Sequence, residues 1–181
     1  SYKRVWVVGS SFLEDEKIAV YTQKLLKKRN IRKLLVLVPR FPDRLDEILN
    51  SLNDFRVKVY SRGETPDVKT DIFIVDSIGE LGLWYKISEV ALIGGTFSNM
   101  EGKNPWEALH LDCVITFGPR HMKFKDDFKL LKKLKLAHQI DSAEELFKIL
   151  YRKDQIPFST CVKELKTKLA KDINSLTKEL L

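Results

Sequence analysis

The feature of this sequence that most limits its fold is a regular alternation of short apolar runs with longer amphipathic segments. The runs are four or five residues long, as expected for strands buried on both faces. They lie at Val5–Val8, Leu34–Val38, Val57–Tyr60, Asp71–Val75, Val90–Ile93 and Cys113–Phe117. Segments with helical spacing separate most of them. The sequence therefore predicts an α/β fold, a Rossmann-like parallel sheet of about six strands with helices on both faces.

The residues that directly follow five of these strands are glycines, hydroxyl-bearing residues, an aspartate and arginines. They are Gly9-Ser10-Ser11, Pro39-Arg40, Asp76-Ser77, Gly94-Gly95-Thr96 and Gly118-Pro119-Arg120. All five loops lie at the carboxyl ends of strands, which is the edge where open α/β sheets bind their ligands. We therefore expect a binding site at this edge of the sheet.

The loop after the fifth strand leads into a predicted helix start. Gly94 and Gly95 allow a close approach of the backbone. Asn104 suits the N-cap position, and Pro105 suits the first helical turn. The free N–H groups of such a helix favour an anion in the crevice, and Glu107 could accept hydrogen bonds from sugar hydroxyls. An ordinary capped helix start would explain the same residues.

Composition narrows the class of partner. The chain has 181 residues, enough for one domain, and a net charge of +7, which favours anionic partners. Solvated lysine-rich helices would give the same charge, and no nucleic-acid motif accompanies it. Cys113 and Cys161 are far apart without zinc-ligand spacing, so no metal site is expected. No cofactor is predicted.

No targeting or membrane-spanning segment is expected in this sequence. Residues 1–10 have the pattern of a strand and a turn rather than of a signal peptide. No apolar run approaches the roughly 20 residues of a membrane span. We predict a Rossmann-like domain over residues 1–160 and a basic amphipathic helix over 161–181, which more often packs on protein than on a membrane.

Five motifs in order resemble those of one enzyme family. They are GSSFLEDE (Gly9–Glu16), VPRFPDR (Val38–Arg44), VDSIGELGLWY (Val75–Tyr85), IGGTFSNMEGKNPWEA (Ile93–Ala108) and FGP (Phe117–Pro119). Together they resemble the C-terminal half of bacterial Kdo transferases, the glycosyltransferases that add 3-deoxy-D-manno-octulosonic acid (Kdo) to the lipid A precursor. The resemblance covers about residues 4–135.

The resemblance implies one half of a two-domain GT-B enzyme. The C-terminal half binds the donor CMP-Kdo, and the N-terminal half carries the membrane-docking surface, the acceptor site and a carboxylate base. The reaction inverts the anomeric carbon without a metal. The full-length enzyme would act at the cytoplasmic face of the bacterial inner membrane. This chain would be a soluble donor half without a catalytic residue, inactive alone. Its C-terminal helix at 161–181 could cross to the N-terminal domain.

The resemblance also assigns roles to the residues of the motifs. Arg40 would grip the CMP phosphate with its guanidinium. Glu107 would bind the ribose hydroxyls. The segment near the nucleoside consists of Asp76, Ser77, Ile78, Gly79 and Glu80. The residues expected to meet phosphate are Gly95, Thr96 and Asn104, the last of these also shaping its loop. Ser10 and Ser11 would meet either the phosphate or the Kdo carboxylate.

Four positions depart from the family pattern. Phe12, Phe41 and Lys103 stand where the family has histidine, and Lys123 stands where it has asparagine. We count Lys103 as donor-binding, because a lysine can face a phosphate or a carboxylate. These departures leave two alternatives open. One is another GT-B transferase or an epimerase with a UDP-sugar, and the other is a non-catalytic module that docks on anionic surfaces.

Overall fold

Seven strands and six helices make up residues 4–152, the part of the chain that this computed structural model describes. The strands are β1 (Arg4–Ser11), β2 (Lys33–Pro39), β3 (Val57–Val59), β4 (Ile72–Ile74), β5 (Val90–Ile93), β6 (Val114–Phe117) and β7 (Ala137–Gln139). The helices are α1 (Leu13–Lys28), α2 (Leu45–Asn50), α3 (Leu81–Ile87), α4 (Trp106–His110), α5 (Lys125–Lys133) and α6 (Ala143–Arg152). Short 3-10 turns lie at Pro42–Arg44, Tyr60–Arg62 and Met122–Phe124.

All seven strands form one parallel sheet in the order β3-β4-β2-β1-β5-β6-β7. The predicted fold class is therefore confirmed. The chain runs outward from β1 through β2 to β3, returns through β4, and then continues from β5 to β7 on the other side. Right-handed crossover connections place α1 and α2 on one face of such a sheet and α3 to α5 on the other.

The side chains of the central strand β1 show that helices cover both faces of the sheet. Trp6 points toward α1, where its indole N–H donates to the side chain of Gln23 at 3.1 Å. Gly9 points the other way, since a Cβ there would lie 2.1 Å from the Tyr85 hydroxyl of α3. Every residue of β2 is buried, as the continuous apolar run of a central strand requires.

Helix α1 buries a face that differs from the one its apolar residues indicate. Apolar spacing predicts that Ile18, Tyr21, Leu25 and Leu26 face the sheet. The Leu26 side chain is buried, but Tyr21 is 50% exposed. Polar residues with internal partners fill the buried face beside Ala19 and Leu26; they are Asp15, Glu16, Thr22 and Gln23. Their hydrogen bonds compensate for their burial, which periodicity of apolar residues cannot register.

Strand β7 is the element that the sequence did not predict. Only three residues long, it exposes His138 and Gln139, so it lacks an apolar run. For the segment after it, Ser142 with Glu145 three residues on predicts a capped helix from Ser142 to Leu150. Helix α6 confirms that prediction. The Ser142 hydroxyl oxygen accepts from the Glu145 amide at 3.3 Å, while the Glu145 carboxylate accepts from the Asp141 amide at 2.7 Å.

Among the described residues, those up to 148 form one compact unit, and a second unit begins at residue 149. The predicted helix at 161–181, the boundary at residue 160 and Cys161 lie outside the described residues and stay predictions. Among the helices of residues 4–152, none is both long enough and apolar enough to cross a membrane.

Candidate functional site

The candidate site lies where the direction of the sheet reverses, between β1 and β5. These strands are neighbours, but the chain leaves them toward opposite edges, and such a switch point opens a crevice at their carboxyl ends. The Gly94 amide donates to the Gly9 carbonyl oxygen at 2.9 Å. A Cβ on Gly94 would lie 2.2 Å from the Ser10 carbonyl oxygen. The carboxyl end of β1 and the loop after β5 therefore meet backbone against backbone, and glycine is required at position 94.

A buried carboxylate holds the two loops together. Asp15, at the start of α1, accepts hydrogen bonds from the backbone amides of Phe12 at 2.9 Å, Gly95 at 2.7 Å and Phe97 at 3.1 Å. Burial raises the pKa of Asp15, and these three backbone donors oppose that rise. Because Asp15 already occupies the Gly95 amide, that amide is not open to an incoming phosphate.

A second buried acid supports the loop after β1. Glu16 accepts from the Ser11 hydroxyl at 2.9 Å and from both terminal nitrogens of Arg44, at 3.2 and 2.9 Å. The Ser11 carbonyl oxygen accepts from the Arg40 amide at 3.0 Å. Ser11 is fully buried, so its hydroxyl serves the loop itself, whereas Ser10 is partly exposed with a left-handed φ of 54°.

Three cations lie beside the loop after β1. They are Arg40, Lys103 and Lys123, and we call them the basic cluster. The Lys103 ammonium lies 5.5 Å from the ring centre of Phe12, and the Arg40 guanidinium lies 5.7 Å from that of Phe41. The two rings pack edge to face at 5.8 Å. Burial lowers the pKa of Lys103, and the charges of Arg40 and Lys123 lower it further. This cost of concentrated positive charge is relieved when an anion binds.

The loops after β5 and β6 are joined through Thr96. Its hydroxyl donates to the Ile93 carbonyl oxygen at 2.6 Å and accepts from the Gly118 amide at 2.8 Å. Its carbonyl oxygen accepts from the Arg120 amide at 2.9 Å. Thr96 is completely buried. Its hydroxyl therefore fixes the loop after β6 against the loop after β5 and does not face the crevice.

The segment after β4 presents backbone rather than charged side chains. The Asp76 carboxylate turns toward the sheet edge, where it accepts from the amide and hydroxyl of Ser61 at 2.9 and 2.5 Å. The Ser77 hydroxyl is buried and has no hydrogen-bond partner among residues 4–152. Ile78 is 85% exposed, and Gly79 has a φ of +94°. Glu80 immediately precedes α3.

The starts of α3 and α4 face each other. A Glu107 carboxylate oxygen lies 3.4 Å from the position that a Cβ on Gly82 would take. The same carboxylate is close enough to raise the pKa of Tyr85, an effect second to burial. The Asn104 side-chain oxygen accepts from the Trp106 amide at 2.9 Å. The N-cap of α4 is Pro105 and not Asn104, so the predicted cap is one residue too early. Since α4 is only five residues long, its dipole is weaker than the sequence suggested.

The sequence-predicted residues thus fall into groups. Arg40 and Lys103 belong to the basic cluster. Glu107, on α4, lies beside the start of α3. Internal bonds hold Ser11, Thr96, Asp76, Asn104 and the Gly95 amide. Sequence reasoning missed the anchoring roles of Asp15, Glu16 and Arg44. From the sequence, Glu14, Asp15 and Glu16 are interpreted only as favourable charges in the first turn of α1. The available signal was an acid three residues after the helix N-cap.

Cys113 is buried in the interior of the protein. The Cys113 thiol donates to the carbonyl oxygens of Tyr85 at 3.0 Å and Ser88 at 3.4 Å, and burial raises its pKa to about 12. It is therefore inert at neutral pH. Within residues 4–152, no group of three or more His, Cys, Asp or Glu side chains is arranged to hold a metal ion.

Known proteins share both the sequence and the fold. The 3-deoxy-D-manno-octulosonic acid transferase of Rickettsia bellii is 37% identical over 150 residues, which are 82% of this chain and 36% of that protein. The Haemophilus influenzae transferase of the same name is 27% identical over 143 residues, 78% of this chain and 34% of that protein. This chain therefore spans about a third of the length of the curated relatives it matches. No family model matches it.

A solved structure has the same fold. The C-terminal CMP-Kdo binding domain of WaaA from Acinetobacter baumannii superimposes with a TM-score of 0.82 at 22% identity. The alignment covers 92% of this chain and 89% of that domain. The overall fold described above is therefore also that of a solved domain.

Proposed function

We propose, from the membership of this chain in the Kdo transferase family, that it is the half of the enzyme that binds the donor CMP-Kdo. The basic cluster is the observation that carries this proposal. It places three cations at the switch point of the sheet, and the two charges that act on Lys103 most strongly are positive. Such a site is matched by a ligand with more than one negative charge, and CMP-Kdo carries a phosphate and a carboxylate.

The geometry suggests how the donor lies. The phosphate would contact Arg40, whose planar guanidinium suits a bidentate contact. The Kdo carboxylate would contact Lys103 or Lys123. The nucleoside would extend toward the starts of α3 and α4, with its ribose hydroxyls donating to Glu107 and its base against the backbone of residues 77–79. Ser10, partly exposed beside the basic cluster, would contact the phosphate or the carboxylate.

The proposed chemistry for this half is stabilisation of the leaving group. Transfer breaks the bond between the anomeric carbon of Kdo and a phosphate oxygen, so negative charge grows on departing CMP. Fixed cations at that oxygen lower the barrier, because they are in place before the charge develops. We propose no metal or organic cofactor for this step. Arg40 and Lys103 would carry it.

The rest of the reaction belongs to the remaining length of the protein. We propose that an N-terminal domain supplies the catalytic base, the site for the lipid A precursor and the membrane-docking surface. The full-length enzyme would then act at the cytoplasmic face of the bacterial inner membrane. On this proposal the present chain binds donor and does not catalyse transfer by itself.

Titration with CMP tests the donor proposal, with UMP, UDP and GDP as controls. We expect a Kd on the order of 0.1–1 mM, about −4 to −5.5 kcal/mol, because half of the cleft is supplied elsewhere. Amide shifts in two-dimensional NMR spectra should cluster near Arg40, residues 77–79 and Glu107. A preference for UDP would instead support a transferase or epimerase that uses a UDP-sugar.

Arg40→Ala is the matching variant. We expect it to weaken CMP binding by about 1.5–3 kcal/mol, the usual magnitude for a hydrogen bond to a charged group. Arg32→Ala is the control, because Arg32 is exposed just before the opposite end of the same strand, β2. Equal affinities of the two variants would remove Arg40 from the site.

A further inference from the structure

A groove separate from the basic cluster lies between α1 and α2. It has a volume of about 340 Å³, within the range of sites that bind small molecules. Its walls are mostly apolar and are formed by Leu13, Val20, Tyr21 and Ile48. A donor as polar as a sugar nucleotide does not match such walls. The groove therefore suits a ligand that is less polar than a sugar nucleotide.

The exposed side of α1 is unusual for a helix with a filled buried face. Leu13, Val20 and Tyr21 follow at helical spacing, and Leu13 and Tyr21 are 41% and 50% exposed. The sheet-facing side of α1 carries polar residues instead, as described above. The apolar stripe thus faces the groove and not the core. Burying it would be favourable by roughly 25 cal/mol for each Å² of apolar surface removed from water.

Two lysines that line the groove indicate the head group of the ligand. Lys17 and Lys24 line it two helical turns apart. Lys17 forms no ion pair among residues 4–152, and Lys24 pairs with Asp54 at 2.9 Å in a largely exposed contact that an anion could replace. Arg44 is not a candidate, because Glu16 and Glu47 already bind its guanidinium.

We propose that the α1–α2 groove binds a single alkyl or acyl chain that carries an anionic head group. The chain lies along Leu13, Val20 and Tyr21, and the head group contacts Lys17 and Lys24. An apolar wall with two lysines along α1 selects an amphiphile with an anionic group over a neutral or cationic one. The site is distinct from the donor site in both position and chemistry.

The direct test is an NMR titration of the 181-residue chain with decyl phosphate below its critical micelle concentration. We expect saturable amide shifts confined to α1 and α2. Decyltrimethylammonium has the same chain and the opposite charge, and it should bind at least fivefold more weakly. Equal binding of the two amphiphiles, or shifts scattered over the whole protein, would overturn the proposal.

Variants locate the site within the groove. Tyr21→Glu places a negative charge on the apolar stripe and should weaken decyl phosphate binding at least tenfold. The control is Leu130→Glu, since Leu130 is 45% exposed on α5 and should tolerate the same change without loss of affinity. Lys17→Gln, at an exposed position, should reduce the preference for phosphate over ammonium. Unchanged affinity in Tyr21→Glu would overturn the proposal, and CMP titration of the same samples separates this result from the donor site.

Discussion

Gly94 is the residue at which the site depends most directly on the absence of a side chain. Replacing it with alanine would bring a Cβ to 2.2 Å from one carbonyl oxygen and 2.4 Å from another, both at the carboxyl end of β1. Backbone cannot yield as a flexible side chain can. We expect Gly94→Ala to lower the free energy of unfolding by about 3 kcal/mol or more.

Chemical denaturation measures this loss, and Gly82→Ala is its control. A Cβ at position 82 would lie 3.4 Å from a Glu107 oxygen, an ordinary contact, and alanine suits a helix better than glycine. The control should therefore change stability by no more than about 1 kcal/mol. A loss at position 94 as small as that would show that the two loops can separate without cost.

Lys103 is expected to show opposite effects on stability and on binding. Its ammonium is partly buried and close to two other cations, so the folded state disfavours its charged form. Lys103→Met keeps the length of the side chain and removes the charge. We expect this variant to unfold at a higher temperature than the parent while binding CMP about tenfold more weakly. Lys129→Met, at an exposed position on α5, should change neither property appreciably.

The same lysine gives a pH dependence with a definite sign. The pKa of Lys103 in the free protein is below its usual value, and a bound phosphate raises it by favouring the ammonium. CMP affinity should therefore fall as pH rises through the lowered pKa of the free protein toward the raised pKa of the complex. Stability should rise with pH from the lowered pKa toward the pKa of an unfolded lysine. Lys103→Met should flatten both profiles, and a variant profile that matches the parent would exclude Lys103 as their source.

Some of these residues were predicted from the sequence, and others were not. The glycine pair and Arg40 were found because they follow apolar runs directly, which places them at the ends of strands. Asp15 was not distinguished from its neighbour Glu14, since both are acids in the first helical turn. Only the folded chain shows that the Asp15 side chain turns inward to three backbone amides while Glu14 is exposed.

At the scale of elements, one side chain connects α1 to the sheet. Gln23 accepts from the Trp6 indole and donates to the carbonyl oxygens of Lys33 at 2.8 Å and Asp71 at 3.0 Å. Three segments of the chain are thereby tied to one helix. Gln23→Met keeps the volume but leaves the Trp6 N–H buried without a partner.

We expect Gln23→Met to cost about 2–3 kcal/mol of the free energy of unfolding, the penalty for a broken buried polar network. Lys24→Met is the control, because Lys24 follows Gln23 directly in α1 and its side chain is exposed. Equilibrium denaturation of both variants decides the question. A loss below about 0.5 kcal/mol in Gln23→Met would mean that water replaces the amide.

The elements themselves differ in how far the sequence predicts them. Strands β2 and β5 are almost wholly buried runs of Leu, Val, Ile and Ala, and their predicted bounds are within one residue of those observed. Strand β7 has no such signal, because only Ala137 of its three residues is buried. It pairs with β6 through its backbone, and backbone pairing leaves no trace in the pattern of side chains.

At the scale of the whole molecule, the order of the strands places the site, and the sequence does not contain that order explicitly. Alternating strands and helices predict a parallel sheet, but they leave open which strands are neighbours. The contact between β1 and β5 joins Trp6 to Val90, residues far apart in the chain. This contact creates the crevice at the carboxyl ends of β1 and β5.

The central position of β1 also affects how the protein is made. It is the first of the seven strands to be synthesised, yet its second neighbour is complete only when residue 93 has been added. Until then one edge of an apolar strand remains open on the growing chain, at a stage when ribosomes and chaperones are its nearest contacts. The protein should consequently fold slowly for its size and depend on protection during synthesis more than a bundle of local hairpins would.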